Sequence, residues 1–304
     1  MATRATSFAH RPAAPGCLPR IARRAALLCG LLAIGASWAT AAAGAATSVS
    51  PNWAGYVAVQ SASGSSHFSS VSGTWTQPSA TCSSGKAAYS AVWVGLGGYS
   101  ESASALEQVG TDADCLRSGH ASYSVWYELL PAGPVSVALK VQPEDKLSAS
   151  VTVRASHVTL RIRNLSTGRR FSTTKRVSKI DASSAEWIVE APSVCLTTSS
   201  CATLPLADFG TTLFSSATAT ARGHTGTIAD ADWSTSALEL QQDASSGAGS
   251  SAALRNSSTR TLTVATPSAA SAADGSFSVA WQEKSAQSEQ PAAPTLPGFN
   301  GGPP

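Results

Sequence analysis

Between Asn52 and Lys284, apolar and polar residues alternate in short runs that end at Gly, Pro, Asn or Ser. That period most constrains the fold, because a half-buried strand turns every second side chain to the same face. No stretch of about ten residues carries the 3.6-residue apolar repeat of a helix. The runs are Asn52–Val59, His67–Gln77, Ala88–Leu96, Gln108–Asp112, Ser122–Leu130, Val135–Val141, Leu147–Ala155, Val158–Asn164, Arg169–Val177, Ala185–Glu190, Leu206–Phe214, Ala217–Arg222, Leu238–Gln241, Thr261–Val264 and Ser276–Lys284. Short strands at near-regular spacing predict an all-β fold, a double-sheet antiparallel β-sandwich, as one domain over residues 48–284.

The two ends read differently. Arg23-Arg24 precede an apolar run from Ala25 to Trp38, and Ala43-Gly44-Ala45 follow as an A-x-A cleavage pattern. This predicts a signal peptide over residues 1–46, a mature chain beginning near Ala46, and a secreted, extracellular protein with no membrane attachment once the signal is removed. The apolar run is short of the roughly 20 residues of a spanning helix. Residues 285–304 are rich in Pro, Gly and Ser and are expected to be a disordered tail. Four cysteines remain after the signal: Cys82, Cys115, Cys195 and Cys201. The short interval from Cys195 to Cys201 suits a local closure, which leaves Cys82 for Cys115, although four cysteines allow three pairings.

Charge bears on partners. The formal net charge of +3 rests on the leader, since residues 1–46 hold five Arg and no acid. Beyond them stand 16 basic against 18 acidic residues, a near-neutral sum that gives no basic patch for nucleic acid. Neither C-x-x-C nor histidine spacing suggests a metal site, and no motif asks for a cofactor. A monomer acting on polypeptides is the expected state.

The chemistry concentrates in two stretches, Ala91–Leu130 and Ala185–Glu190. The first carries Trp93, Gln108, Asp112, Trp126, Tyr127 and Glu128; the second places Glu186 and Glu190 on one strand face. Carboxyls among aromatics are desolvated, which raises their pKa as general acid/base work requires. Nucleophile-elbow, phosphate-loop and zinc-helix motifs are absent. Asp208 reads as a structural hydrogen-bonding acid.

Seven motifs follow in order: NWAGY, VSGTW, WVGLGG, LEQVGTD, VWYELLP, AEWIVEAP and LADFG. Together they resemble the motif series of the glutamic peptidases (eqolisins), over about Asn52 to Phe214. The resemblance implies a concanavalin- or jelly-roll-like sandwich and an acid endopeptidase using a Gln/Glu pair and an activated water, without metal or cofactor. The catalytic glutamine falls on Gln108 and the glutamate on Glu190, with Glu186 as the alternative. The supporting, substrate-binding positions fall on Trp93, Asp112 and Glu128. One departure is Gly97, where fungal members have an acid after the Trp-Val-Gly-Ile segment. The short lead-in Thr47–Pro51 also differs from the fungal propeptides and suits a bacterial-type secreted member.

A glutamate near its reference pKa of about 4.3 is ionised enough in mild acid to take a proton from water. A glutamine amide can stabilise an oxyanion at any acidity. Two other readings remain open: a lectin-like module with Trp93, Trp126 and Tyr127 as sugar platforms, and a glycosidase pairing Glu128 with Glu190.

Overall fold

Alternation becomes strand along most of the chain that the computed structural model describes, residues 46–60, 67–100, 103–197, 200–243 and 261–283. Among the described residues there is no helix. The strands are β1 (Ala46–Ser50), β2 (Trp53–Gln60), β3 (Phe68–Thr76), β4 (Ala91–Gly97), β5 (Leu106–Cys115), β6 (Ala121–Leu129), β7 (Val135–Ser136), β8 (Lys146–Arg154), β9 (His157–Asn164), β10 (Arg170–Arg176), β11 (Ser184–Glu190), β12 (Ser193–Thr197), β13 (Ser200–Thr203), β14 (Thr211–Ala221), β15 (His224–Thr227), β16 (Trp233–Asp243), β17 (Thr261–Pro267) and β18 (Phe277–Trp281).

Hydrogen bonding runs in the order β10-β9-β8-β3-β14-β18-β17-β16-β2-β11-β4-β5-β6-β7. The ribbon folds back on itself, so β3, β8 and β9 pack face to face with β4, β5 and β11. This is the expected two-layer sandwich. Its interior is built from the inward side chains of both layers, including Trp75, Leu147, Leu160 and Phe214 on one side and Val94, Val109 and Trp187 on the other. Residues of β4 and β11 are buried on both faces. A second apolar cluster of Val57, Ala91, Trp93, Leu106, Trp126, Ile188 and Leu238 therefore lies on the far side of the same layer. That far side carries the site.

Several expectations need correction. Thr47–Pro51, read as a lead-in, largely forms β1, which pairs in parallel with β16. The Val135–Val141 run is strand only at its first two residues. Leu206–Phe214 is not one strand. Gly210 takes φ +64°, and its N–H is accepted by Asp208 Oδ1 at 3.0 Å, so the chain turns there before β14 begins. Asp208 is thus the structural acid that the sequence suggested. Cys82 and Cys115 form a disulfide, as expected. Cys201 is also disulfide-bonded, and its register partner in the β12–β13 hairpin is Cys195. The leader up to residue 45 and the tail from residue 285 lie outside the described residues. No described helix is long and apolar enough to cross a membrane.

The near-neutral charge sum conceals a division between the layers. Strands β2, β4, β5, β6, β11 and β16 carry Glu107, Asp112, Asp114, Glu128, Glu186, Glu190, Glu239 and Asp243 and no Lys or Arg. Strands β3, β8, β9, β10, β14 and β18 carry Lys146, Arg154, Arg161, Arg163, Arg170, Lys175 and Arg176 and no acid. The absence of a basic patch, inferred from the sum, is therefore wrong at the level of the folded surface.

Candidate active site

Residues opposite each other in antiparallel strands point to one face. On the far side of the acidic layer the register makes three rows. The first runs Trp53–Glu190–Ala91–Asp112–Ser124, the second Gly55–Ile188–Trp93–Gly110–Trp126, and the third Val57–Glu186–Gly95–Gln108–Glu128. All five predicted site residues, Trp93, Gln108, Asp112, Glu128 and Glu190, share this face, and so does Glu186.

Glycines in these rows make room for an indole. A Cβ on Gly110 would lie 2.5 Å from Trp93 Cβ, and one on Gly95 would lie 2.9 Å from the Trp93 ring. With both absent, Trp93 lies flat in the face and its Nε1 donates to Glu190 Oε2 at 2.8 Å. Asn52 Nδ2 donates to the other oxygen, Oε1, at 3.1 Å. Trp53 packs edge-on against Trp93, with centroids 5.0 Å apart. Glu190 is half-buried, whereas Glu186 is fully covered and neither of its oxygens has a hydrogen-bond partner. Of the two candidate glutamates, only Glu190 is both held and reachable.

Gln108 is 4% exposed, and its Nε2 donates to Glu128 Oε2 at 2.6 Å. Its Oε1 is buried without a partner. Asp112 is gripped by Trp126 Nε1 on Oδ1 at 2.7 Å and by the Ser124 hydroxyl on Oδ2. Each predicted acid is thus matched to a donor on the same face.

Burial dominates the electrostatics. It pushes the Glu190 carboxyl up to about 7; the indole N–H of Trp93 and, more loosely, that of Trp53 favour the anion, the Glu128 charge raises the pKa further, and the Asn52 amide opposes it. The expectation of a carboxyl near its reference value is corrected accordingly. Burial also raises Glu128, against the Gln108 bond, and Asp112, against Ser124 and Trp126. Burial and then the Asp112 charge hold Asp114 at about 7. Glu107 stands at about 8 and Glu186 well above the carboxylate range, both chiefly through burial.

Trp93, expected to meet substrate, has no exposed surface, so at this site it is a donor to Glu190. Asn52 is not among the site residues that the sequence predicts. Its signal is the NWAGY motif, where an asparagine precedes the strand that pairs with Glu190's. Gly97 stands close to Asp181, whose Cβ lies 2.6 Å from where a Gly97 Cβ would be, while Gly98 N–H donates to Asp181 Oδ2 at 3.2 Å. Among the described residues, one group is spaced to share a cation: His224, Asp230 and Asp232, near the β14–β15 hairpin and away from these rows.

Comparison with known proteins agrees with the fold. The sequence model of the peptidase A4 family matches residues 51–264. Aspergillopepsin-2 of Aspergillus niger is 28% identical over 228 residues, covering 64% of this chain and 72% of that protein. Scytalido-glutamic peptidase, solved with a peptide-based transition-state analogue, superposes with a TM-score of 0.58 at 23% identity, over 77% of this chain and all of that one. Aspergilloglutamic peptidase from Aspergillus niger gives 0.50 at 26% identity, over 64% of this chain and 99% of that one.

Proposed function

This chain belongs to the peptidase A4 family, the glutamic peptidases, and from that premise we propose that it is a secreted endopeptidase whose working pair is Gln108 and Glu190. A water between the two side chains attacks the peptide carbonyl carbon. Glu190 takes one proton from that water, and the carbonyl oxygen becomes an oxyanion accepting from the Gln108 amide. The proton held by Glu190 then passes to the amide nitrogen, the C–N bond breaks, and a carboxylic acid and an amine leave. Glu128 and Asp112 act as positioning residues, the first for Gln108 and the second for Trp126.

The observation that carries this reading is the hold on Glu190. An N–H donor on each oxygen favours the carboxylate, the form that accepts a proton, while burial keeps its basicity high. A base with a pKa near the operating pH is the efficient one. The working range therefore lies between mild acid and neutrality, at roughly pH 5–7, rather than in strong acid. Trp93, Trp126 and Tyr127 are 0%, 9% and 8% exposed, which argues against sugar platforms. Glu128 is committed to Gln108, which argues against a glycosidase pair.

The test is cleavage of acid-denatured haemoglobin, with the culture medium as the source of enzyme. Chelators, serine reagents and pepstatin should leave the rate unchanged, and the secreted chain should begin near Ala46. Gln108→Ala should fold and lose roughly 10²–10³ in kcat. Inhibition by pepstatin, or full activity in Gln108→Ala, would overturn the assignment.

A further inference from the structure

We propose that the outer face of the basic layer is a docking surface for a polyol-phosphate chain, a linear polymer of phosphodiesters and hydroxyls. The register of β8, β9 and β10 sets four rows on this face: Arg154–His157–Arg176, Thr152–Thr159–Thr174, Ser150–Arg161–Ser172 and Ser148–Arg163–Arg170. The five arginines are exposed. None is ion-paired among the described residues, where the salt bridges are those of His224. A groove of about 460 Å³ is lined by Arg161, Arg163, Arg170 and three serines of these rows, together with Ala149, Ile162 and Phe171. The register sets Arg161 and Arg163 level with serines on the neighbouring strands, a pairing suited to phosphate oxygens, which accept from both guanidinium and hydroxyl.

The pattern narrows the partner. Arg161 and Arg163 stand two residues apart on one strand, about 6.5–7 Å, so the charge is presented as a repeat along the groove. The hydroxyl lattice continues onto β3 and β14, where Ser70 meets Thr152 at 3.3 Å and Ser72 meets Thr218 at 2.8 Å. Such a surface offers hydrogen bonds to polyol hydroxyls over its whole width. No Trp, Tyr or Phe side chain points outward from β8, β9 or β10; Phe171 stacks inward on Tyr127, and the outward ring is the single imidazole of His157, so bases have no extended stacking platform. No large apolar side chain on these strands projects outward to enter a bilayer. Arginine keeps its charge at every pH in question, and a phosphodiester, being a strong acid, does likewise. A carboxylate polymer, with pKa values of about 4, begins to lose charge at the acid end of this range, whereas a phosphodiester does not. Docking and catalysis would then share one pH range while using opposite layers of the sandwich.

The test is fluorescence anisotropy of a labelled glycerol-phosphate oligomer with the full mature chain at pH 5. Single-stranded DNA and anionic phospholipid vesicles serve as parallel probes. Three phosphate contacts predict that log K falls with log salt at a slope of roughly −2. The triple variant Arg161→Gln/Arg163→Gln/Arg170→Gln should lose tenfold or more in affinity and most of that slope. It should keep the wild-type melting temperature and the wild-type rate on soluble denatured protein. Absence of binding by the wild type, undiminished binding by the folded triple variant, or DNA or vesicles bound as tightly as the oligomer would each overturn the proposal.

Discussion

At the scale of the residue, Glu190 is set by opposing forces: burial drives it toward the neutral acid, and two N–H donors draw it toward the anion. Trp93→Phe keeps most of the ring and deletes one donor. A hydrogen bond to a charged group contributes about 1.5–3 kcal/mol, or roughly one to two pH units. The acid limb of kcat/KM should therefore move up by about that much, and an unmoved limb would contradict the role given to Trp93. Glu128→Gln works in the other direction, because removing a nearby negative charge lowers the Glu190 pKa and should shift the limb toward acid. That the stretches carrying Gln108 and Glu190 meet on one face was legible, because each stretch reads as half of one site. The bond of Asn52 to Glu190 was not, because even inside the NWAGY motif an asparagine at the head of a strand looks like a turn residue. Only the β2–β11 register reveals it beside Glu190. The direction of the Glu190 shift was legible from its aromatic neighbours, but its size depended on coverage by distant strands.

At the scale of the element, β4, β5 and β11 hold the site by register, and the glycines of β4 and β5 set the depth of Trp93. Gly110→Ala would place a Cβ 2.5 Å from both Trp93 Cβ and the Val92 carbonyl oxygen. Overpacking of this kind costs about 1–3 kcal/mol, and because Trp93 must shift, activity should fall with stability. Gly133→Ala, where a Cβ meets nothing within 4 Å, is the control and should leave the urea midpoint unchanged. Equal midpoints for both variants would contradict this account of the glycines. Strands with strict alternation were legible, whereas β1 was not. It is short and polar, and its pairing with β16 joins residues far apart in sequence. The β14 strand read as two runs because Ser216, at φ +51°, interrupts the alternation where the β3 pairing shifts register.

At the scale of the molecule, the buried acids make stability depend on pH. Glu107, held at about 8, Asp114, at about 7, and Glu186, higher than the carboxylate range, are all raised by burial. A raised acid binds its proton more tightly in the folded state. From the unfolded values near 4 upward, the native chain holds more protons than the unfolded one, so stability falls as pH rises toward 8. The melting temperature should be higher at pH 5 than at pH 8. Glu186→Gln, which retains a neutral side chain of similar shape, should flatten the decline by up to about 1.4 kcal/mol per pH unit. A wild-type melting temperature that rises over this interval would contradict the assignment of buried neutral acids. The sandwich itself was legible from the period-two pattern, but the segregation of charge was not. A net sum cannot say which strands end up in the same layer, and long-range pairing decides that.

The most direct measurement compares two isosteric variants on one substrate. Glu190→Gln and Glu186→Gln are each purified, shown to melt as folded proteins, and assayed on acid-denatured haemoglobin at pH 6. Glu190→Gln removes the proton acceptor and should lose about 10²–10⁴ in kcat, while Glu186→Gln, sealed away from substrate, should keep most of the wild-type rate. A folded, inactive Glu186→Gln beside an active Glu190→Gln would move the chemistry four residues along β11, and full activity in both would contradict the Gln/Glu mechanism.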